Sequence, residues 1–249
     1  MIHPSAVLGK NVSVGPFSII GADVRVGDNT EIASSVRIDP GSIIGKNCRI
    51  FHGAYLGGGP QILDFGRIVS AVEIGDETLI REYVTVHRSK EENGVTRVGG
   101  HCMLMGYTHV AHDCQIGDNV VMANYSGLSG HVKVGDFAFI SGQVGVHQFV
   151  KIGMHSMLGG FTKVKQDILP FSMVDGIPSR LIGVNSVGLS RRGFTAVTVA
   201  ALKKSMRLLR SRELNTSQAI EKMKSEVEMT KEVKHLVDFI GESSRGITK

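Results

Sequence analysis

The side chains of this chain best suited to proton chemistry near neutrality are its ten histidines: His3, His52, His87, His101, His109, His112, His131, His147, His155 and His235. An unperturbed imidazole titrates at about 6.5, so a neutral histidine can serve as a general base at physiological pH. Counting along the chain singles out four positions. Gly130 follows His112 by 18 residues, His131 follows Asp113 by 18, and His147 follows Ser129 by 18. In a chain that returned on itself every eighteen residues, His112, Gly130, His131 and His147 would share one side of three successive turns. Such spacing gives proximity and not yet catalysis.

Other chemistries find less support. Cys48, Cys102 and Cys114 form an odd set without CxxC spacing, which reads as reduced thiols packed like small hydrophobes. Only Cys114 neighbours a plausible base, and a core position would bury it. A zinc centre would need three imidazoles converging within about 2.1 Å of one point. His109 and His112 lie only three apart with no third partner placed, so no metal is expected, and nothing suggests a flavin or dinucleotide.

The chain does return every eighteen residues. Aliphatic residues fall at a strict step of six from Ile2 to Leu56, again at Ile74, Ile80 and Val86, and then without a break from Val98 to Val164. All 25 of these positions are Ile, Leu, Val or Met. Six matches neither the period of a helix nor that of a long strand. It fits a short strand plus a corner, three of which close a triangular coil, so that strands stack in parallel between coils. Glycine often follows the aliphatic residue, as in Val14-Gly15 and Ile116-Gly117, and is expected to ease a sharp turn there. The expected fold is mainly β, a parallel β-helix of roughly eight coils over residues 1–185. Two segments, near 57–71 and 88–97, break the register by multiples of six and read as loops extruded from a continuing prism, where binding residues tend to sit.

Beyond Val164 the period ends. Three apolar stripes at helical spacing begin after Phe194, with Asn215 or Thr216 as a cap, and predict a three-helix domain over residues 186–249. The first stripe is flanked by Lys203, Lys204, Arg207 and Arg210, either a solvated face or a patch for an acidic partner. A net charge of +5 agrees with an acidic partner, but base-stacking aromatics are scarce and not interleaved with basic residues, which argues against nucleic acid. No apolar run approaches the ~20 residues that span a bilayer, and no export leader stands at the N-terminus, so a cytoplasmic protein without membrane insertion is expected.

The segments His109-Val110-Ala111-His112-Asp113-Cys114, Gly130-His131-Val132, Val146-His147-Gln148-Phe149, Gly183-Val184-Asn185 and Arg191-Arg192-Gly193-Phe194 resemble the UDP-N-acetylglucosamine 3-O-acyltransferases of lipid A synthesis. So do Ile80-Arg81-Glu82, Val86-His87-Arg88 and Ser244-Arg245-Gly246. The likeness runs over essentially the whole chain. It implies a left-handed coil and a homotrimer with active sites between subunits, acting without a cofactor. It also implies transfer of a 3-hydroxyacyl chain from acyl carrier protein to the 3-position of a UDP-amino-sugar, the first step of lipid A biosynthesis. His112 takes the general-base position, with Asp113 or a backbone carbonyl fixing its tautomer, and the Gly130 N–H matches the oxyanion donor. His109, His131, His147, Gln148, Asn185, Arg191 and Arg192 match contacts to sugar, diphosphate or acyl donor, joined by Gln61, Asn124 and, in a modest role, His87. Gly160 matches the position that limits acyl-chain length and would leave the groove open to longer chains.

Three positions depart from the pattern. In the first extruded loop Ile62 stands where relatives carry a carboxylate, Asp64 stands where they carry a lysine, and Val187 replaces a glutamate near the uracil. These departures set up two alternatives to transfer onto UDP-N-acetylglucosamine itself. One is the same chemistry on a 3-amino sugar; the other is a non-catalytic relative that binds carrier protein or nucleotide sugar.

Overall fold

The computed structural model describes residues 1–63, 66 and 68–249, and Asp64 lies outside the described residues. Three sheets form the sides of a triangular prism. The first runs from Val7–Leu8 to Lys151–Ile152 and has eight strands; the third runs from Ile19–Ile20 to Lys163–Val164 and also has eight. The second begins at Ser13–Val14 and reaches ten strands by adding Ser172–Asp175 and Arg180–Val184 at its far end. Pairing within the prism is parallel with a step of 18, as in His109↔Gly127 and Gly127↔Gly145, whereas Ser172–Asp175 and Arg180–Val184 pair antiparallel. Across the two loops the step lengthens to 30 at Ile44↔Ile74 and to 24 at Ile74↔Val98, so the loops leave the prism without interrupting its ladders.

Every register aliphatic from Ile20 to Val164 is buried, whereas Ile2 is exposed and Leu8 and Val14 are half-buried on the first coil, which has no neighbour below it. A second inward register lies two residues earlier and takes small side chains: Val24, Thr30, Val36, Ser42, Cys48 and onward. All three cysteines belong to it. Each thiol lies 3.2 Å from a backbone carbonyl (Gly75, Gly117 and Ser129 for Cys48, Cys102 and Cys114), and burial pushes Cys114 up to about 12. They are core fillers and not nucleophiles.

The corners depart from the expectation for glycine. The left-handed residue is the third corner position, held by Asn11, Asp23, Tyr107, Asp113, His131, Phe149 and their non-glycine equivalents at φ between 54° and 66°. Apart from Gly57 (φ 83°), where the chain leaves for the first extruded loop, the glycines that follow the aliphatic residues have ordinary φ, and their reason is contact between coils. A Cβ on Gly27 would lie 2.7 Å from the Gly45 carbonyl carbon, and one on Gly135 would lie 2.6 Å from the Met154 nitrogen.

Four helices follow the prism instead of three: α1 (Ser186–Arg191), α2 (Ala196–Arg210), α3 (Thr216–Glu226) and α4 (Lys231–Gly241). At six residues α1 is too short to show a helical period in the sequence. Asn215 caps α3 through a capping box with Gln218. Leu202, Met206, Leu209, Met223, Val233 and Leu236 make the helical core. The tail returns to the prism, where Asp167 accepts from the Thr248 N–H and the Ser243 hydroxyl. No helix among the described residues is long and apolar enough to cross a membrane.

Candidate active site

The third sheet and the corner that follows it carry a groove of about 580 Å³. His87 and His109 stand on its strands, and His112, Gly130, His147 and Gln148 stand on its corner. Gln61 and Ile62 reach it from the first extruded loop. Stacking coils thus bring together residues that the eighteen-residue count had placed on one side.

His112 and Asp113 are adjacent in sequence, and the corner's left-handed Asp113 turns its carboxylate back onto the imidazole. The His112 Nδ1–H donates to Asp113 Oδ2 at 2.7 Å, which leaves Nε2 as the basic nitrogen. The second extruded loop holds the carboxylate in place. The Ser89 hydroxyl donates to Oδ1, the Lys90 N–H donates to Oδ2 at 3.3 Å, and the Asp113 N–H donates to Thr96 Oγ1 at 2.7 Å. Burial pushes the Asp113 carboxyl up, but the donors Ser89, His112 and Lys90 outweigh it and hold the group below the usual carboxylate range. Between the two alternatives for orienting His112, the geometry therefore gives the carboxylate.

Gly130 sits over the His112 ring. A Cβ there would lie 2.5 Å from Cε1 and 2.7 Å from Nε2, so any side chain would cover the basic nitrogen. Its φ is ordinary, so the glycine answers to the histidine beneath it and not to the turn. Among the described residues its N–H has no protein acceptor.

His109 Nδ1 is hydrogen-bonded to Thr85 Oγ1 at 2.7 Å, and its ring meets His87 edge-on at 5.1 Å. Burial, followed by the charges of His87 and His112, lowers His109 to about 4. Burial also lowers His87, whose Nδ1 has no hydrogen-bond partner among the described residues. His131 lies behind the dyad, stacked on Phe149 at 4.6 Å and edge-on to His112 at 5.3 Å. His147 Nδ1 lies 3.3 Å from both the Gln148 carbonyl and Arg245 Nη2.

Five expected site residues stand elsewhere on this chain. Asn124 and Gly160 belong to the corner between the second and third sheets, one column that also holds Gly106 and Gly142. Asn185 caps α1 and donates to the His155 carbonyl at 3.0 Å; Arg191 ends that helix, and Arg192 lies 4.1 Å over the Phe137 ring. These three, with the exposed Val187, lie beside the corner between the first and second sheets.

His112, Asp113 and His131 offer ligand atoms within 4.8 Å of one another, close enough to hold a cation. The shortest contact in that group is the His112–Asp113 hydrogen bond, and the other carboxylate oxygen is taken by Ser89.

Comparison with known proteins gives two matching family models. One is described as UDP N-acetylglucosamine O-acyltransferase, domain 2, and covers residues 167–248; the bacterial transferase hexapeptide model covers residues 5–40 and 96–130. An acyl-[acyl-carrier-protein]–UDP-N-acetylglucosamine O-acyltransferase of Sulfurihydrogenibium sp. is 53% identical over 253 residues, covering 99% of this chain and 93% of that one. The chain belongs to the UDP-N-acetylglucosamine O-acyltransferase family. An Aquifex aeolicus relative of the same name is 51% identical over 191 residues, 76% of this chain and 73% of its own. The solved structure of a UDP-N-acetylglucosamine acyltransferase from Bacteroides fragilis superposes with a TM-score of 0.97 at 39% identity, covering 100% of this chain and 97% of that chain.

Membership in the family makes the prism a left-handed β-helix, as the resemblance implied. Against the expected residue set, the structure adds Ser89, Lys90, Thr85, Thr96 and Arg245 around the histidines. Arg245 stood in a segment that the resemblance had matched. The others carried no signal beyond lying next to a register position or in an extruded loop. Ile62, one of the three positions read as departures, lines the groove.

Proposed function

We propose that this enzyme transfers a 3-hydroxyacyl group from acyl carrier protein to the 3-hydroxyl of UDP-N-acetylglucosamine, the opening reaction of lipid A biosynthesis. One observation carries the reading: a histidine oriented by a half-buried carboxylate, its free nitrogen bared by a glycine whose N–H is unclaimed among the described residues. Neutral His112 takes the proton of the 3-hydroxyl at Nε2 while its Nδ1–H stays on Asp113, which stabilises the imidazolium as it forms. The sugar oxygen attacks the thioester carbonyl, and the oxyanion is met by the Gly130 N–H, a kind of contact worth about 3 kcal/mol. Collapse expels the carrier's thiolate, which recovers the proton from His112. His109, held neutral by burial, can hydrogen-bond an acceptor without competing for that proton.

The relatives, named O-acyltransferases, favour the hydroxyl acceptor over the 3-amino sugar. The carrier protein is an acidic partner for the exposed Lys203, Arg207 and Arg210, which line a second groove of about 530 Å³ on α2. A homotrimer is part of the reading. Asn124, Gly160, Asn185, Arg191 and Arg192 sit on edges away from His112, and a threefold assembly would let neighbouring subunits supply them to its groove. The fold's flat sides and the exposed Tyr107, Tyr125 and Phe161 suit such packing.

The test is a product assay with 3-hydroxyacyl-carrier donors of several lengths, offering UDP-N-acetylglucosamine and its 3-amino analogue side by side. Turnover of the first, abolished in His112→Ala, is expected. Binding of both substrates with no product from either acceptor would overturn the reading.

A further inference from the structure

Asp113 is held by a loop that the repeat does not require, and that loop has one residue placed to act on the dyad. Residues 88–94 leave the prism, and the chain returns as Val95–Val98. Within them Ser89 is fully buried. Its Oγ accepts the Glu91 N–H at 2.9 Å, so the hydroxyl proton is free to be directed at Asp113 Oδ1. Its carbonyl accepts the Ser70 hydroxyl at 2.7 Å, and the Asn93 N–H donates to the Val69 carbonyl at 2.7 Å, so the two extruded loops clasp each other. Gly94 makes room for the arrangement: a Cβ there would lie 2.1 Å from Ser89 Oγ. A buried serine whose acceptor and donor sides are both committed, opposite a glycine that clears its space, is a built arrangement.

Resting on the reaction proposed above, we infer that Ser89 is a positioning residue of the dyad. Its hydroxyl fixes the Asp113 carboxylate and shares its charge, and through that carboxylate it sets how tightly His112 holds a proton. With the hydroxyl removed, the charge on Asp113 falls more heavily on the imidazole, and His112 keeps its proton to higher pH. The other groups facing His112 are His87, His109 and His131, with Lys90 and Glu91 around His131. All of them remain in the variants below.

The experiment uses the full chain in three forms: wild type, Ser89→Ala and Gly94→Ala. Thermal unfolding, kcat and KM for both substrates across about pH 5 to pH 9, and an NMR titration of the His112 imidazole are recorded for each. Ser89→Ala should lower kcat about tenfold with little change in either KM, and should move the acid limb up by about half a pH unit. Gly94→Ala, which keeps the serine but displaces it, should move both in the same direction. An acid limb and a His112 titration unchanged in both variants would overturn the inference, as would a loss of kcat no larger than the lost folded fraction. If Ser89→Ala does not fold, Gly94→Ala decides. If wild type turns over neither acceptor, the proposed reaction fails, and the His112 titration still tests the role of Ser89 by itself.

Discussion

In the corner that follows the first sheet, glycine holds the first position on eight successive coils, from Gly9 and Gly27 to Gly135 and Gly153. At the second position Asp28, Asp76, Asp118 and Asp136 each accept the N–H one coil earlier, at 2.7 to 2.9 Å. Sterics and hydrogen bonding are both satisfied within the stack. The corner that follows the third sheet uses the same backbone and fills it differently. Its first positions are Ala111, Ser129 and His147, its second are His112, Gly130 and Gln148, and the Gly130 N–H that an aspartate would cap is left open beside an imidazole. In the corner after the first sheet the residues answer to packing, and in the corner after the third sheet, from which both extruded loops leave the prism, they answer to chemistry. Glycine serves both ends: Gly135 yields to a backbone, and Gly130 yields to a ring.

Substitutions should separate the two corners. The largest effect belongs to His112→Ala, which should cut turnover by about 10²- to 10⁴-fold while leaving the unfolding midpoint near wild type; loss of fold instead would make His112 structural. Asp113→Asn should cost about 10- to 100-fold in kcat, mainly by releasing the tautomer, and a wild-type rate would show that the carboxylate does not orient the base. Gly135→Ala reverses the pattern. It should destabilise by about 1–3 kcal/mol, read by denaturant unfolding, with the surviving folded protein keeping its specific activity.

The smallest effect concerns acid stability. His155 is buried between Phe137 and Phe171, and burial, then the Arg192 charge, lowers it to about 4. Its folded value lies below the unfolded one, so the unfolded chain binds the extra proton. The stabilisation is full above about pH 6.5 and is lost as pH falls toward the folded value. The melting temperature should therefore drop by a few degrees over that window, a slope that His109 shares. His155→Phe should flatten part of it, since the positions one coil before and after already hold phenylalanine at the same left-handed φ. An unchanged slope would show that His155 does not set the acid sensitivity.

Most of the prism was legible because a period is a long-range measurement: one register aliphatic predicts the next, and eighteen residues predict the coil above. The small inward register at Val24, Thr30 and Cys48 was hidden because it mixes apolar and polar types that share only size; Thr30 and Cys48 satisfy their polar atoms on a backbone carbonyl, and Val24 has none to satisfy. The corner glycines were visible, but their cause was not, since contact with the next coil leaves no mark in local sequence. His112, Gly130 and His147 could be counted into place; Ser89 and Lys90 could not, because an extruded loop has no period. Asn185, Arg191 and Arg192 were singled out by resemblance, which says which residues matter and not where on one chain they lie.

The most direct measurement compares Gly130→Ala with wild type for unfolding midpoint and turnover together. A nearly unchanged midpoint and turnover lowered at least tenfold are expected, because the three atoms nearest the new methyl all belong to the His112 ring. Full turnover, or a midpoint that falls as far as that of Gly135→Ala, would contradict this expectation and make the third corner as purely structural as the first.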